Sequence, residues 1–346
     1  MSERLQALLG DTEIEALLSD DAELAAMLAF ESALAAAESE VGLLPADSAA
    51  AIKVACDAFV ADRQRLASGM ARDGVAVPAL VSALREAVPA AHRASLHKGA
   101  TSQDLVDTAL VLRLRQVIDV LEKRLDLMLS RLRALQRVEG AVRLMAHTRM
   151  QAAMAFTAGD KIEAWAQPLL RHRARLAELR PRVLTLQFGG AIGVRGGLDG
   201  KGEAVARALA QRLNLRVGPA WHTARDTVAE FAGWLSMVTG ALGKIGADVA
   251  LMAQTEVGEA KLEGGGGSSA MPHKSNPVAA EVLVTLARFN AGMLGTLHQA
   301  LVHEGERSGA AWTLEWMVLP QMAIAAGAAL RHADAMLGSL HFIDKA

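Results

Sequence analysis

Tyrosine is absent from this chain of 346 residues, cysteine occurs once, and aromatic residues amount to 3%. The single cysteine, Cys56, excludes an intrachain disulfide and argues against a metal site built from cysteines. β-branched residues, which favour strands, are sparse, whereas alanine and leucine, which favour helices, are abundant. These shortages predict a fold that is mostly or wholly α-helical.

The chain also lacks an excess of charge of either sign. Its net charge of −2 gives no general attraction to nucleic acid or to an anionic membrane. The N-terminus has no apolar core of the kind found in signal peptides. The nearly uncharged stretch Trp316–Leu330 is shorter than the roughly 20 apolar residues that span a bilayer. We therefore expect a soluble, cytoplasmic protein with no nucleic-acid or membrane partner.

Apolar residues recur every three or four positions in three long segments, which run from Leu110 to Leu135, from Val228 to Met252 and from Val278 to Leu301. Each run is far longer than an average helix, so the pattern predicts three long helices packed side by side in a bundle. Two further helices are predicted at about 152–180, kinked at Pro168, and at about 310–338.

The first quarter of the chain differs from the rest, because residues 1–95 consist of shorter helical pieces interrupted by glycine and proline. We interpret residues 1–95 as an N-terminal helical domain and residues 96–346 as the central long-helix bundle domain. Glycine-rich stretches at 189–202 and 264–267 lie between predicted helices and are interpreted as loops.

The segment 264–277, GGGGSSAMPHKSNP, is the most unusual in the chain. Its glycines indicate a mobile loop, and Asn276 followed by Pro277 predicts a helix start with asparagine as the N-cap. Ser268, Lys274 and free backbone N–H groups near a positive helix end suit binding of a carboxylate. A flexible linker before an ordinary helix cap explains the same residues, so both interpretations stay open at this point.

The eleven residues GSSAMPHKSNP resemble the signature loop of the fumarase/aspartase superfamily, Gly-Ser-Ser-x-Met-Pro-x-Lys-x-Asn-Pro, at every fixed position. Segments 97–104 (HKGATSQD), 148–151 (TRMQ) and 247–260 resemble other motifs of the superfamily. The resemblance implies an all-α fold with a long-helix central bundle and a smaller N-terminal domain. Members usually carry a third, C-terminal helical domain, which we expect to be absent because the chain stops where it would begin.

The resemblance also implies a reaction and the residues for it. The family removes a proton next to a carboxylate and expels a leaving group from the β carbon, or runs in reverse, through a carbanion delocalised into the carboxylate. Ser268 is the expected proton-transfer residue, and Lys274 assists by holding the reacting carboxylate. No metal or organic cofactor is required. The expected substrate-binding residues are Thr101, Ser102, Thr148, Arg149, Gln151, His222, Arg225, Ser269, Met271 and Asn276.

Some of these residues also have structural explanations. Thr101 and Asp104 form a capping-box pattern before a long helix, so we expect Asp104 to be structural. Exposed arginines are common, which is the alternative for Arg149. Four histidines that are typical of loops or interfaces, and that are not assigned to catalysis, are His97, His147, His273 and His303.

Within the superfamily, the segments 99–110, 221–226 (WHTARD) and 303–316 most resemble the muconate cycloisomerase branch, which implies cyclisation of a carboxylated muconate in aromatic catabolism. A carbon–nitrogen lyase of the adenylosuccinate type is the nearest alternative, but there a histidine normally stands where Arg149 stands here. Ala152 replaces a histidine frequent in the cycloisomerase branch, so any second acid/base group stays open. A cycloisomerase for a related muconate, such as a sulfonated one, and a non-catalytic scaffold are further alternatives. The implied partners are a small di- or tricarboxylate and three further copies, in a homotetramer with shared active sites.

Overall fold

The computed structural model describes residues 2–267, 269–271 and 274–344. These residues form mostly α-helix, which confirms the predicted fold class apart from two small antiparallel sheets of two strands each. The helices are α1 Glu3–Leu9, α2 Thr12–Leu17, α3 Asp20–Glu40, α4 Ala46–Asp57, α5 Arg63–Asp73, α6 Val77–Ala87, α7 Ser102–Glu139, α8 Ala158–Val183, α9 Gly202–Arg212, α10 Asp226–Met252, α11 Val278–Gln299 and α12 Ala310–Gly338, with a short 3₁₀ helix at Ala90–Ser95; the strands are β1 Arg143–Thr148, β2 Gln151–Thr157, β3 Ala260–Leu262 and β4 Leu340–Phe342.

The three apolar stripes lie on α7, α10 and α11, and the predicted helix at 310–338 is α12. The helix predicted at about 152–180 is wrong at its start. Residues 151–157 form strand β2, and the helix begins only at Ala158, where Thr157 and Asp160 make a capping box. The kink site Pro168 lies inside this helix.

The main core lies between α7, α8, α10, α11 and α12. Its two closest helices are α10 and α11, which run antiparallel: Gly243 of α10 lies against Ala287, and Gly246 lies against Ala280. A Cβ atom on Gly246 would stand 2.5 Å from the carbonyl oxygen of Ala280, so only glycine permits this approach. α10, α11 and α12 have the length and composition of membrane-spanning helices, but here their apolar stripes build the core of the bundle.

A second, smaller core joins the N-terminal helices to the start of α7. Phe30 of α3 and Leu80 and Leu84 of α6 are almost completely buried in it. Helix α9, which follows the bundle helix α8 in sequence, also contributes Val205 and Leu209 to this core. The smaller core is therefore built from two separate parts of the chain, both placed at the end of the bundle where α7 begins.

The smaller core borders a buried acid, Glu38, on α3. Its side chain is fully buried, and neither carboxylate oxygen has a hydrogen-bond partner within the described ranges. Burial raises the pKa of the Glu38 carboxyl to about 8, although Lys98 opposes the increase. Glu38 is thus protonated in the folded chain at neutral pH and ionised in the unfolded chain.

We expect Glu38→Gln to stabilise the protein at alkaline pH. Because the folded pKa lies above the unfolded value, the stability linked to Glu38 is fully present below about pH 4.5 and is lost as the pH rises to about 8, by about 1.4 kcal/mol per pH unit at most. Thermal unfolding at pH 5 and pH 8 measures this loss. The Tm of Glu38→Gln should exceed that of wild type by more at pH 8 than at pH 5. The control, Glu163→Gln at an exposed position, should match wild type at both pH values. An equal pH dependence of Tm in wild type and Glu38→Gln contradicts a raised pKa at Glu38.

The long helices place two groups of loops at opposite ends of the bundle. α7 has 38 residues and α10 has 27, which correspond to about 57 Å and about 40 Å at 1.5 Å per residue. The first, which we call the polar end, contains the start of α7 together with residues 187–193, 221–225 and 303–309. We call the end with the β1–β2 hairpin, the β3–β4 sheet and residues 264–277 the loop end.

Candidate active site

Asp104 is the central residue of the polar end. It lies in the first turn of α7 and is fully buried. Its two carboxylate oxygens accept five hydrogen bonds, at 2.7 to 3.0 Å. The donors are the backbone N–H groups of Thr101, Gly189 and Gly190 and the side chains of Gln187 and His222. The predicted capping box and structural role of Asp104 agree with this geometry, because one carboxylate fixes the start of α7, the glycine loop and His222 together.

His222 is 4% exposed, with Nε2 of its ring 3.0 Å from Asp104. Its Nδ1 has no hydrogen-bond partner within the described ranges and faces the backbone of Gly193. A Cβ atom at Gly193 would stand 3.3 Å from that nitrogen, which is a tight contact, and the φ of 84° at Gly193 is a conformation that favours glycine. The predicted substrate-binding role of His222 therefore depends on access to Nδ1 past the 189–193 loop.

Arg225 forms the second polar cluster of this end. It donates two hydrogen bonds to Asp107, at 2.6 and 3.1 Å, and two to Glu315, at 2.9 and 2.5 Å. All three side chains are at most 2% exposed. Burial alone would lower the pKa of Arg225, but the two carboxylates outweigh it and raise the pKa. Arg225 thus joins α7, the start of α10 and α12 as a buried cross-link.

These contacts do not support the prediction that Arg225 binds a substrate carboxylate. Its guanidinium is already held by two carboxylates of its own chain, and the indole of Trp221 lies 4.7 Å from it. The side chain of the adjacent His303 is buried, and burial together with the charge of Arg225 lowers its pKa. His303 is thus an interior residue of this cluster.

We expect Arg225→Met to lower the free energy of unfolding by about 3–5 kcal/mol, because it leaves Asp107 and Glu315 as unpaired charges in the core. Urea unfolding followed by circular dichroism measures the change. Arg182→Met is the matched control, since Arg182 makes a similar forked contact to Glu230 at the surface and should lose less than about 1 kcal/mol. Equal losses in the two variants contradict a buried cross-link.

Thr101 and Ser102 lie at the N-terminal end of α7, as predicted. Thr101 is the N-cap residue and Ser102 the first residue of the helix. Both residues are half-buried. The positive helix end and these hydroxyls suit an anion, although Asp104 already neutralises part of that field.

Thr148, Arg149 and Gln151 lie at the loop end, on the tip of the β1–β2 hairpin. Thr148 and Gln151 are directly opposite each other in the register. Arg149 and Met150 form the two-residue turn between them, with φ values of 51° and 68°. Left-handed backbone at two consecutive non-glycine residues is unusual and is the geometry of tight hairpin turns. All four residues are exposed, so the Thr-x-x-Gln motif is presented outward.

The signature loop is closed at its base by two backbone hydrogen bonds between Gly266 and Asn276, at 2.9 and 2.8 Å. A Cβ atom on Gly265 would stand 2.0 Å from the Ser275 hydroxyl, so the glycine is needed for the two arms to meet. The prediction that Asn276 is the helix cap is wrong, because α11 begins at Val278 after Pro277. The Asn276 amide instead donates to the Gly267 carbonyl, at 3.3 Å.

The structure describes only some of the other predicted residues of this loop. Ser269, Met271 and Lys274 are exposed. Ser268 and His273 lie outside the described residues. In the described part of the chain, no three histidine, cysteine or acidic side chains are grouped as metal ligands would be.

Sequence reasoning missed Asp107 and Glu315, which hold Arg225. Asp107 lies one helical turn after Asp104, and it also accepts from the indole of Trp312, at 2.9 Å. An acid one turn from a capping acid, inside an otherwise apolar helix face, was the available signal. The sequence signal for Glu315 was weaker: it is the single acid between Ala310 and Arg331 of α12.

The architecture and these motifs match known proteins. A family model described as lyase matches residues 5–290, and the chain belongs to this lyase family, the fumarase/aspartase family of enzymes. The chain is 42% identical, over 334 residues, to 3-carboxy-cis,cis-muconate cycloisomerase of Pseudomonas aeruginosa, covering 94% of this chain and 73% of that protein.

Two further comparisons bear on the fold and on the substrate. The crystal structure of 3-carboxy-cis,cis-muconate lactonizing enzyme from Pseudomonas putida superposes with a TM-score of 0.93 at 39% identity, covering 99% of this chain and 78% of that one. An N-acetyl-S-(2-succino)cysteine lyase of Dickeya dadantii is 32% identical over 340 residues, which are 97% of this chain and 75% of that protein. Proteins similar to this chain are thus named for different substrates.

Proposed function

We propose that this enzyme is a cycloisomerase that interconverts 3-carboxy-cis,cis-muconate and 4-carboxymuconolactone, in the protocatechuate branch of aromatic catabolism. The observation that carries the proposal is the 42% identity to the cycloisomerase of Pseudomonas aeruginosa along nearly the whole chain. The succinocysteine lyase matches a similar share of the chain, 97%, at only 32% identity. The intact signature-loop residues Ser268, Lys274 and Asn276 argue against a non-catalytic scaffold.

The reaction needs one carbon–oxygen bond and one proton transfer. A carboxylate oxygen of the muconate adds to a carbon of the conjugated double bond, and the displaced electron pair moves into the neighbouring carboxylate. The Ser268 hydroxyl then gives its proton to the carbanion carbon, and the reverse reaction returns it. Lys274 and Asn276 hold the carboxylate that takes up the charge, since a cation and N–H donors are most effective where charge develops.

We further propose that each active site is assembled from several copies of a cytoplasmic homotetramer. Thr101, Ser102 and His222 lie at the polar end, while Lys274 and Thr148 lie at the loop end, about 40 Å away along α10. No single copy brings these residues together. Symmetric association of antiparallel bundles places the loop end of one copy beside the polar end of another.

Uncovered apolar surface supports association of copies. Met150 and Met154 of the hairpin are 75% and 70% exposed. Phe289 of α11 is 37% exposed and is followed by exposed Gly292 and Gly295 on the same helix. A strip of this kind, apolar and partly made of small residues, suits close packing against another helix.

A lyase that releases fumarate is the second candidate, favoured by the similarity to the succinocysteine lyase. Incubation of the purified protein with 3-carboxy-cis,cis-muconate in D2O, followed by proton NMR, tests the proposal. We expect a lactone with one deuteron on the carbon next to a carboxylate. Fumarate from adenylosuccinate or N-acetyl-S-(2-succino)cysteine, with no lactone from the muconate, overturns it, and faster turnover of a sulfonated muconate reassigns the substrate.

A further inference from the structure

His97 has an unusual backbone at the polar end. It lies between the 3₁₀ helix and α7, and its φ of 59° is in the left-handed region that non-glycine residues rarely adopt. The next glycine, Gly99, is also left-handed and packs against Leu198. A left-handed residue of this type persists only where its surroundings hold it, and such residues are frequent at functional sites.

A buried acid holds the His97 ring. Glu31 of α3 is 1% exposed and its Oε1 lies 2.5 Å from Nδ1 of His97. The second oxygen of Glu31 has no partner among the residues that the structure describes. The His97 side chain is 12% exposed, and the described residues offer no hydrogen-bond partner to its Nε2. The ring is therefore held through Nδ1 on its buried side, while Nε2 lies on its accessible side.

We propose that Glu31 is a positioning residue of the active site: it holds the His97 ring, beside the start of α7, so that Nε2–H donates a hydrogen bond to an anionic group of the substrate. This inference rests on the proposed function. A buried acid with one ring nitrogen as its partner fixes the tautomer, the orientation and the charge of a histidine. His97 then adds a cation next to the Thr101 and Ser102 hydroxyls.

The charged groups around His97 favour the cation. Glu31 faces it from α3, Asp104 from α7 and Arg85 from α6, and two of the three are acids. Burial on its own would lower the pKa of His97, but Glu31, by charge and by hydrogen bond, and the charge of Asp104 together outweigh it and raise the pKa. The imidazolium therefore persists to a higher pH than it would in an isolated histidine, and it is lost as the pH rises through that raised value.

The test uses Glu31→Gln, Glu31→Asp and, as a matched control, Glu38→Gln, which changes the other buried acid of α3. NMR of histidine-labelled protein without substrate follows the titration of His97, and tricarballylate serves as an anionic probe of its Nε2 resonance. We expect Glu31→Gln to lower the pKa of His97 by about one unit or more, and to abolish the shift caused by tricarballylate at pH 7.5. Glu31→Asp should restore part of both, and Glu38→Gln should change neither.

Kinetics give a second, independent readout. With the muconate, Glu31→Gln should raise KM about tenfold at pH 7.5 while kcat stays within about twofold, and the alkaline limb of kcat/KM should move to lower pH. An unchanged His97 titration, or a KM that follows only the loss of thermal stability, overturns the proposal. Because the NMR arm needs no turnover, a wrong substrate assignment leaves that arm intact and is recognised by the failure of the kinetic arm alone.

Discussion

Ser268→Ala should lower kcat for the muconate by about 10³-fold or more, with KM changed only a few-fold. A positioned proton-transfer group contributes about 10²–10⁴ to the rate, and an alanine has no proton to give to the carbanion carbon. The substrate should still bind, because Lys274 and Asn276, the proposed ligands of its carboxylate, are unchanged. Stopped assays at saturating substrate separate the two parameters.

Ser275→Ala is the control for the loop itself. Ser275 lies at the loop base against Gly265 and has no role in the proposed reaction, so the kcat of Ser275→Ala should stay within about threefold of wild type. If Ser268→Ala keeps more than a tenth of the wild-type kcat, the serine does not transfer the proton. If the kcat of Ser275→Ala falls as far as that of Ser268→Ala, the loss of activity is due to the loop conformation and not to one hydroxyl group.

Mixed tetramers of two inactive chains should regain activity. One chain carries Ser268→Ala at the loop end, and the other carries Thr101→Ala with Ser102→Ala at the polar end. Since each site would take its loop and its polar end from different copies, random assembly at equal amounts should restore about a quarter of wild-type activity. Coexpression with two different affinity tags, followed by tandem purification, isolates the mixed species.

The matched control mixes Ser268→Ala with Lys274→Ala. Both substitutions lie in one loop of one chain, so every loop in the mixture is defective and no activity should return. Recovery of activity in this control, or no recovery of activity in the first mixture, contradicts an active site built between copies. Full activity in a stable monomer contradicts it as well.

The long helices were predictable from sequence because their signal is local. The stripe from Leu110 to Leu135 needs only neighbouring turns of α7, and the capping pattern of Thr101 and Asp104 marks its start within four residues. The β1–β2 hairpin was not predictable in the same way. Residues 151–157 (QAAMAFT) are rich in alanine and favour a helix by composition, and they form a strand because β1 supplies the backbone partners.

The site was predictable in its motifs and not in its contacts. Arg225 is separated from Asp107 by 118 residues and from Glu315 by 90, so nothing near Arg225 in the sequence indicates that its charge is already neutralised. The same holds for His97 and Glu31, which are 66 residues apart. The Arg225 contacts arise only when α7, α10 and α12 pack together, and the His97–Glu31 contact arises only when α3 packs beside the start of α7.

The most direct test of the proposed function is an ultraviolet assay of the purified wild-type enzyme with 3-carboxy-cis,cis-muconate. We expect loss of the absorbance of the conjugated muconate, with formation of the lactone and a kcat/KM at least tenfold above that for adenylosuccinate or N-acetyl-S-(2-succino)cysteine. A protein that leaves the muconate unchanged, while releasing fumarate from either succinyl compound, contradicts it.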